Sequence, residues 1–261
     1  MLGNGDGTFQ LARTWPSGSA GYGGLAVGDF NRDGNTDLAT ERTVLLGNSD
    51  GTFGSPLPVL PGYSGLAGVA VGDLNSDGKD DLVGIGYETG DLGFYGNVTV
   101  RLGNGDGTFA SPWTSWEGGE GYGPRSVALA DFNGDGRLDV TASGDVLLGN
   151  GDGTLQPPLA LGDSLIAVAD FNGDGKPDQA TVVWDAARIQ LGNGDGTFQP
   201  PWTYVTTFGP MALADFNRDD KPDLVMTPAY FGGKYADIFL GNGDGTLRPP
   251  THNYIANYNY N

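Results

Sequence analysis

Asp131-Phe132-Asn133-Gly134-Asp135-Gly136-Arg137-Leu138-Asp139 is the stretch on which the reading of this chain turns. Oxygen-bearing side chains stand at positions 1, 3, 5 and 9, a glycine at position 6, and a large apolar residue at position 2. Positions 1, 3 and 5 can converge when the chain coils tightly, and glycine at position 6 permits the bend. The pattern recurs at Asp29–Asp37, Asp73–Asp81, Asp170–Asp178 and Asp215–Asp223. A second motif, close to Leu-Gly-Asn-Gly-Asp-Gly-Thr-Phe, begins at Leu2, Leu46, Leu102, Leu148, Leu191 and Leu240, and alternates strictly with the first.

Working outward, each period of 43 to 56 residues resolves into four short strands. Strand A enters the acidic loop, as in Gly24–Phe30 or Met211–Phe216. Strand B leaves it, as in Asp81–Ile85 or Asp223–Thr227. Strand C runs into Leu-Gly-Asn, as in Thr43–Leu46 or Asp237–Leu240, and strand D follows the turn, as in Pro201–Thr206. These runs are rich in Val, Leu, Thr and aromatics and are bounded by Gly, Asn, Asp or Pro. Four strands per period of this length is the spacing of a β-propeller blade. Strand A is small and apolar, as an innermost strand crowded by its neighbours must be. The expected fold is all-β, a β-propeller of four-stranded antiparallel blades with five complete blades plus an extra N-terminal C–D ribbon. As a single domain, 1–261, it divides into a partial blade at 1–16 and blades at about 17–62, 63–121, 122–162, 163–208 and 209–261.

Composition agrees and excludes much else. In 261 residues, 47 glycines and 16 prolines argue against long helices, and an apolar fraction of 38% argues against disorder. A net charge of −19 repels nucleic acid. No apolar run is long enough to span a bilayer, and no leader segment is read at the N-terminus. Without cysteine there is no disulfide and no thiolate site, and the single histidine, His252, shows no obvious partner.

The acidic loops point to calcium, a hard cation that takes six to eight oxygens. The expected ligands are Asp29, Asn31, Asp33, Asn35 and Asp37; Asp73, Asn75, Asp77, Lys79 and Asp81; Asp131, Asn133, Asp135, Arg137 and Asp139; Asp170, Asn172, Asp174, Lys176 and Asp178; Asp215, Asn217, Asp219, Lys221 and Asp223. The residue at position 7 serves through its carbonyl. A metal-free reading would crowd three carboxylates together without counter-charge, five times over. About five Ca²⁺ ions would bring −19 to −9. Asp220 replaces the position-6 glycine of the last loop, a place where aspartate tolerates left-handed backbone better than most residues. Phe or Leu at position 2 is expected to point into the core. The Asn-Gly-Asp-Gly-Thr segments carry one carboxylate each and are read as hairpin turns.

With these loops, these turns, and the pairs Tyr22-Gly23, Tyr122-Gly123 and Phe208-Gly209 before strand A, the chain resembles the FG-GAP/VCBS-type repeat propellers. These are relatives of the integrin α-subunit head and of certain propeller lectins. The resemblance covers nearly the whole chain and implies the fold rather than a partner.

In such a meander the A–B loops and C–D turns share one end of each sheet, and the B–C and D–A connections share the other. The second end varies between repeats, as binding surfaces do on a rigid frame. Its enlarged B–C loops are expected at 86–97 and 228–236 and an enlarged D–A loop at 115–123. They supply Tyr87, Tyr95, Trp116, Tyr230, Phe231 and Tyr235 as candidate ligand-binding residues. Trp113 and Trp202 share a slot with Leu57 and Leu159 and are expected between blades.

The function expected is a calcium-stabilised extracellular or cell-surface module that recognises carbohydrate or protein. A structural or adhesive scaffold without its own ligand is the alternative. The chain is read as no enzyme; a polysaccharide-active one would have only Glu88, Asp91, Glu117 and Glu120 as unassigned carboxylates on the variable end. No nucleic acid or membrane insertion is expected, and homo-oligomerisation through the partial blade stays open. Asn97-Val98-Thr99 is a glycosylation sequon.

Overall fold

Short β-forming runs cut by glycine and proline give nineteen strands and no helix among the described residues. The computed structural model describes residues 24–254 except 41, 60–65, 91–92, 111–112, 121–125, 143–144, 160–163, 184–185, 206–210 and 228–234, together with residues 8, 11, 14 and 15. Two compact units are formed, 1–124 with 151–154, and 125–150 with 155–261.

The first unit holds two antiparallel four-stranded sheets in meander order. One is β1 (Leu25–Gly28), β2 (Asp37–Thr40), β3 (Thr43–Leu45) and β4 (Leu57–Pro58). The other is β5 (Leu66–Gly72), β6 (Asp81–Gly90), β7 (Gly93–Arg101) and β8 (Trp113–Glu120). Phe30, Ala39 and Val44 of the first sheet pack on Val69 and Leu82 of the second. Their first strands lie so close that a Cβ on Gly24 would stand 2.8 Å from the Val69 amide nitrogen.

The second unit holds three sheets. A three-stranded one contains β9 (Val127–Ala130), β10 (Asp139–Ala142) and β11 (Asp145–Leu147). The next contains β12 (Ser164–Ala169), β13 (Asp178–Val183), β14 (Ala186–Gln190) and β15 (Trp202–Val205). The last contains β16 (Met211–Ala214), β17 (Asp223–Met226), β18 (Tyr235–Phe239) and β19 (Thr251–Tyr254). Ala180, Val182, Ala187 and Ile189 share one buried apolar cluster with Leu224, Met226 and Phe239. These are propeller blades, as expected. Among the described residues the D strand of the third is represented by one bridge between Val146 and Leu159.

Two expected loops are strands instead. The segment 86–97 is mostly the far half of β6 and β7, paired from Gly86↔Asn97 to Gly90↔Gly93, and 115–120 lies within β8. Tyr87, Thr89, Phe94, Tyr95 and Val98 are strong strand formers, and their pairing extends the ladder up to a two-residue connection. The sequon is closed off, because Asn97 is 2% exposed within β7. Trp202 is 54% exposed, not between blades: β15 is the outer strand of its sheet, and Leu159 at the same slot is also exposed. The side chain of Trp113 lies outside the described residues.

Candidate functional site

All five acidic loops fold alike. The N–H of position 5 donates to the carboxylate of position 1 at 3.0–3.2 Å and to the asparagine oxygen of position 3 at 2.9–3.1 Å. Position 6 donates to the other oxygen of position 1, as Gly34 does to Asp29 at 3.0 Å. Two side chains thus converge on one amide, and position 5 curls beside them to accept from the N–H of position 7, as Asp135 does from Arg137 at 2.9 Å. The coil needs left-handed backbone at position 6. Asp220 provides it with φ 61° and still donates to Asp215 at 2.9 Å. Position 4 is left-handed too, with Arg32, Ser76 and Arg218 in three loops and Gly134 and Gly173 in the other two.

Position 9 has a second role that the sequence reading missed. Asp37, Asp81, Asp139, Asp178 and Asp223 are each 0% exposed. One oxygen accepts the N–H of position 2 at 2.8 Å, and the other accepts the glycine N–H of Leu-Gly-Asn at 2.7–2.8 Å. A Cβ on that glycine would collide with the carbonyl of position 8, which explains why Gly47, Gly103, Gly149, Gly192 and Gly241 recur. Burial pushes Asp37, Asp81, Asp139 and Asp178 above the ordinary carboxylate range, against the pull of these amides. On the exposed side, the Asn35 amide and the Asn31 side chain hold Asp33 below it, and Lys79 holds Asp77 below it.

The loops are not without counter-charge. Lys79 lies 2.8 Å from Asp77, and Arg137, Lys176 and Lys221 lie 3.8–3.9 Å from the position-5 carboxylates of their own loops. Among the described residues no three His, Cys, Asp or Glu side chains form a ready-made metal cage. Position 3 is an asparagine, and position 9 is turned to the backbone. The hard oxygens of positions 1, 3 and 5 nevertheless gather at one spot, and a hydrogen-bonded carboxylate oxygen keeps a lone pair for a cation.

The Asn-Gly-Asp-Gly-Thr segments are turns. Asn104 N–H donates to Thr108 O at 2.9 Å, and Thr108 donates its N–H and hydroxyl to Asp106 at 2.9 and 2.5 Å. The same bonds recur at Asp195 and Asp244, so these aspartates are committed locally. Four of the turns also lock onto the preceding repeat. The second glycine of the turn donates to the carbonyl of position 2 in the previous acidic loop: Gly107 to Phe30, Gly153 to Leu74, Gly196 to Phe132 and Gly245 to Phe171, at 2.9–3.2 Å. The leucine of the previous Leu-Gly-Asn packs on the same glycine, as Leu191 does on Gly245. Phe30 and Phe132 meet the following Phe109 and Phe198 edge to face at 5.5 and 5.7 Å.

The FG-GAP-like repeat family matches residues 1–40, 89–142 and 170–226, more than half of the chain. The chain belongs to the FG-GAP-like repeat family. Similar solved structures include an Agrocybe aegerita lectin that recognises non-reducing terminal N-acetylglucosamine, at 20% identity over 88% of this chain and 79% of that one, with TM-score 0.49. They also include the V. cholerae biofilm matrix protein Bap1, at 20% identity over 88% of this chain and 39% of that one, with TM-score 0.47. BBS1N, in complex with ARL6DN, matches at 11% identity over 87% of this chain and 66% of that one, with TM-score 0.50. No curated protein sequence matches significantly.

The candidate ligand residues of this FG-GAP-like protein fall as follows. Tyr87, Tyr95 and Trp116 lie on β6, β7 and β8, where Tyr87 pairs with Gly96, Tyr95 with Glu88 and Trp116 with Val98; their side chains lie outside the described residues. Tyr230 and Phe231 lie outside the described residues altogether. Tyr235 opens β18 and stands edge-on to His252 at 5.8 Å. His252 has a partner after all: its Nδ1 is 2.5 Å from the buried Asp237. No helix among the described residues is long and apolar enough to cross a membrane.

Proposed function

We propose that this FG-GAP-like protein is a calcium-stabilised binding module acting outside the cell, which presents the end of its sheets remote from the acidic loops to a carbohydrate or protein ligand. The observation that carries the binding reading is the length of sheet β5–β8. Its last three strands have 10, 9 and 8 residues, against 2 to 6 in the other sheets. Because β6 begins at Asp81, directly after an acidic loop, the added length carries Tyr87 and Tyr95 to the opposite end. Paired strands make a stiffer platform than a loop, and aromatics suit both sugar stacking and protein anchoring.

The five alike loops support calcium. In each, the side chains of positions 1, 3 and 5 and the carbonyl of position 7 would hold it, with position 9 bracing the loop from beneath. Bound calcium supplies the positive charge that three carboxylates per loop call for. The protein's own part is to hold positions 1 and 3 on one amide and to anchor position 9 between two backbone donors.

A calcium titration followed by thermal melting tests the scaffold. Melting should rise by more than 10 °C between excess chelator and millimolar calcium, as for several linked ions; an unchanged curve rejects calcium. A glycan array and a pull-down, each comparing wild type with a Tyr87→Ala/Tyr95→Ala variant of equal stability, test the binding end. Loss of a wild-type signal in the variant supports it, and equal signals reject it.

A further inference from the structure

Sheets β1–β4 and β5–β8 share a buried apolar cluster, and so do sheets β12–β15 and β16–β19. The layer between sheets β9–β11 and β12–β15 is built differently. Two residues after position 9, Ala39 and Ala180 cluster with Leu82 and Leu224 of the following sheets. In β10 that place is held by Thr141. One residue after position 9, where Leu82 and Leu224 stand, β13 carries Gln179, and where Met226 stands it carries Thr181.

All three exchanges fall in one layer. Ala180 and Val182 belong to the cluster shared with the last sheet, so Gln179 and Thr181, which alternate with them, point to the other side. On that side β12 packs against β9 and β10. Thr141, in the place of Ala39 and Ala180, points into the same layer from the sheet before.

Thr141, Gln179 and Thr181 are each 0% exposed. Yet Thr141 Oγ1, Gln179 Oε1 and Thr181 Oγ1 have no hydrogen-bond partner among the described residues. Gln179 Nε2 donates to Gln190 Oε1 at 3.1 Å, which fixes the amide and leaves its oxygen as the unmatched end. A buried oxygen without a partner costs its whole hydration, so three in one layer call for a partner that the chain does not supply. The threonine hydroxyls donate or accept and the Gln179 oxygen only accepts, so that partner must do both. Arg188 stands directly across from Thr181 on the same face, which sets a positive charge against a metal cation. Three oxygens are also the usual complement of an internal water.

We propose that the layer between sheets β9–β11 and β12–β15 binds an internal water held by Thr141 Oγ1, Gln179 Oε1 and Thr181 Oγ1. The water donates to the Gln179 oxygen and to one hydroxyl and accepts from the other. Its way out runs along Thr181, Arg188 and Thr203, opposite one another across β13, β14 and β15, from buried through half-buried to exposed.

Thr141→Val and Thr181→Val each remove a hydroxyl with almost no change of shape, and the sign of their effect is diagnostic. A hydroxyl bonded to water loses that bond, so each variant should raise the unfolding equilibrium constant about fivefold in urea titrations. The double variant should raise it by clearly less than the product, because both bonds end on one water. In wild type, the labelled methyl groups of Thr141 and Thr181 should give NMR cross-peaks with water of the sign of a molecule tumbling with the protein. A single variant that is as stable as wild type or more stable means dry, unpaired hydroxyls and overturns the proposal. So do missing water cross-peaks, and so does a double variant whose effect equals the product. A wild-type melting temperature that differs between potassium chloride and tetramethylammonium chloride of equal strength, with no such difference in the double variant, puts a cation in the layer and overturns it too.

Discussion

Asp80 accepts the backbone N–H of Asp29 across 2.6 Å, so a residue of the second acidic loop holds the start of the first. Asp80 occupies position 8, where the other loops have Thr36, Leu138, Pro177 and Pro222, and it adds a charged acceptor between two repeats of one unit. Asp80→Leu leaves the Asp29 amide without its acceptor and should cost about 1.5–3 kcal/mol in urea unfolding. Asp80→Asn, which keeps an acceptor, should recover most of that.

The glycine at the centre of each lock should be far less replaceable than the loop glycines. A Cβ on Gly245 would stand 2.6 Å from Leu191 at φ 85°, while one on Gly175, at φ 80°, meets nothing within 4 Å. Gly175→Ala should therefore cost only the left-handed strain, about 1 kcal/mol. Gly245→Ala adds overpacking and should exceed about 2 kcal/mol. Paired urea denaturation curves decide the ranking.

Covered and uncovered position-2 aromatics should differ in the same assay. Phe171→Ala empties a filled core site and should cost about 3–5 kcal/mol. Phe216→Ala, at a position 45% exposed, should stay within about 0.5 kcal/mol.

Position 9 gives a pH signature. Burial raises Asp178 in the folded state, so the fold binds its proton more tightly than the unfolded chain does. The contribution of Asp178 is therefore greatest below the ordinary carboxylate range and declines as pH rises through that range and the raised value above it. In excess chelator, the stability of wild type relative to Asp178→Asn should shrink with rising pH across this window. Chemical denaturation at several pH values reads the slope, and a difference that grows with pH contradicts the assignment.

The two carboxylate motifs should separate by their response to calcium. Asp135→Ala removes a proposed ligand, and Asp152→Ala removes the acceptor of the Thr154 N–H and hydroxyl, worth about 1 kcal/mol. With calcium, Asp135→Ala should lower the melting temperature more; in chelator the gap should narrow. Equal losses in both conditions would mean the motifs play the same part.

What the sequence disclosed was what its local repeats govern. Spacing and turn chemistry place strands at Asp223–Thr227 and Pro201–Thr206, where Asp223–Met226 and Trp202–Val205 are found, and an apolar residue at position 2 foretells the burial of Phe132 and Phe171. Asp220 in left-handed backbone was legible for the same local reason. The exposure of Phe216 was not, because cover at position 2 comes from a turn some 70 residues away in the other loops. Nor was the burial of Asp37, whose acceptor role depends on Gly47 lying across a strand pair. A hint lay in the glycine of every Leu-Gly-Asn, too regular for a simple turn. The aromatic run around Tyr87 reads as a loop in sequence because a long hairpin breaks the repeat pattern, although its residue types favour strand.

The lock also has a direction in time. Phe30 is completed by Gly107, Leu74 by Gly153, Phe132 by Gly196 and Phe171 by Gly245, always by a residue synthesised later. On a ribosome each repeat thus emerges with its acidic loop bare and waits for most of the next repeat before that loop is sealed. Contacts of such long sequence separation are slow to form. Newly made chains should pass through a series of forms, each with one open apolar face at its growing end, and the order of sealing runs from the N-terminus onward.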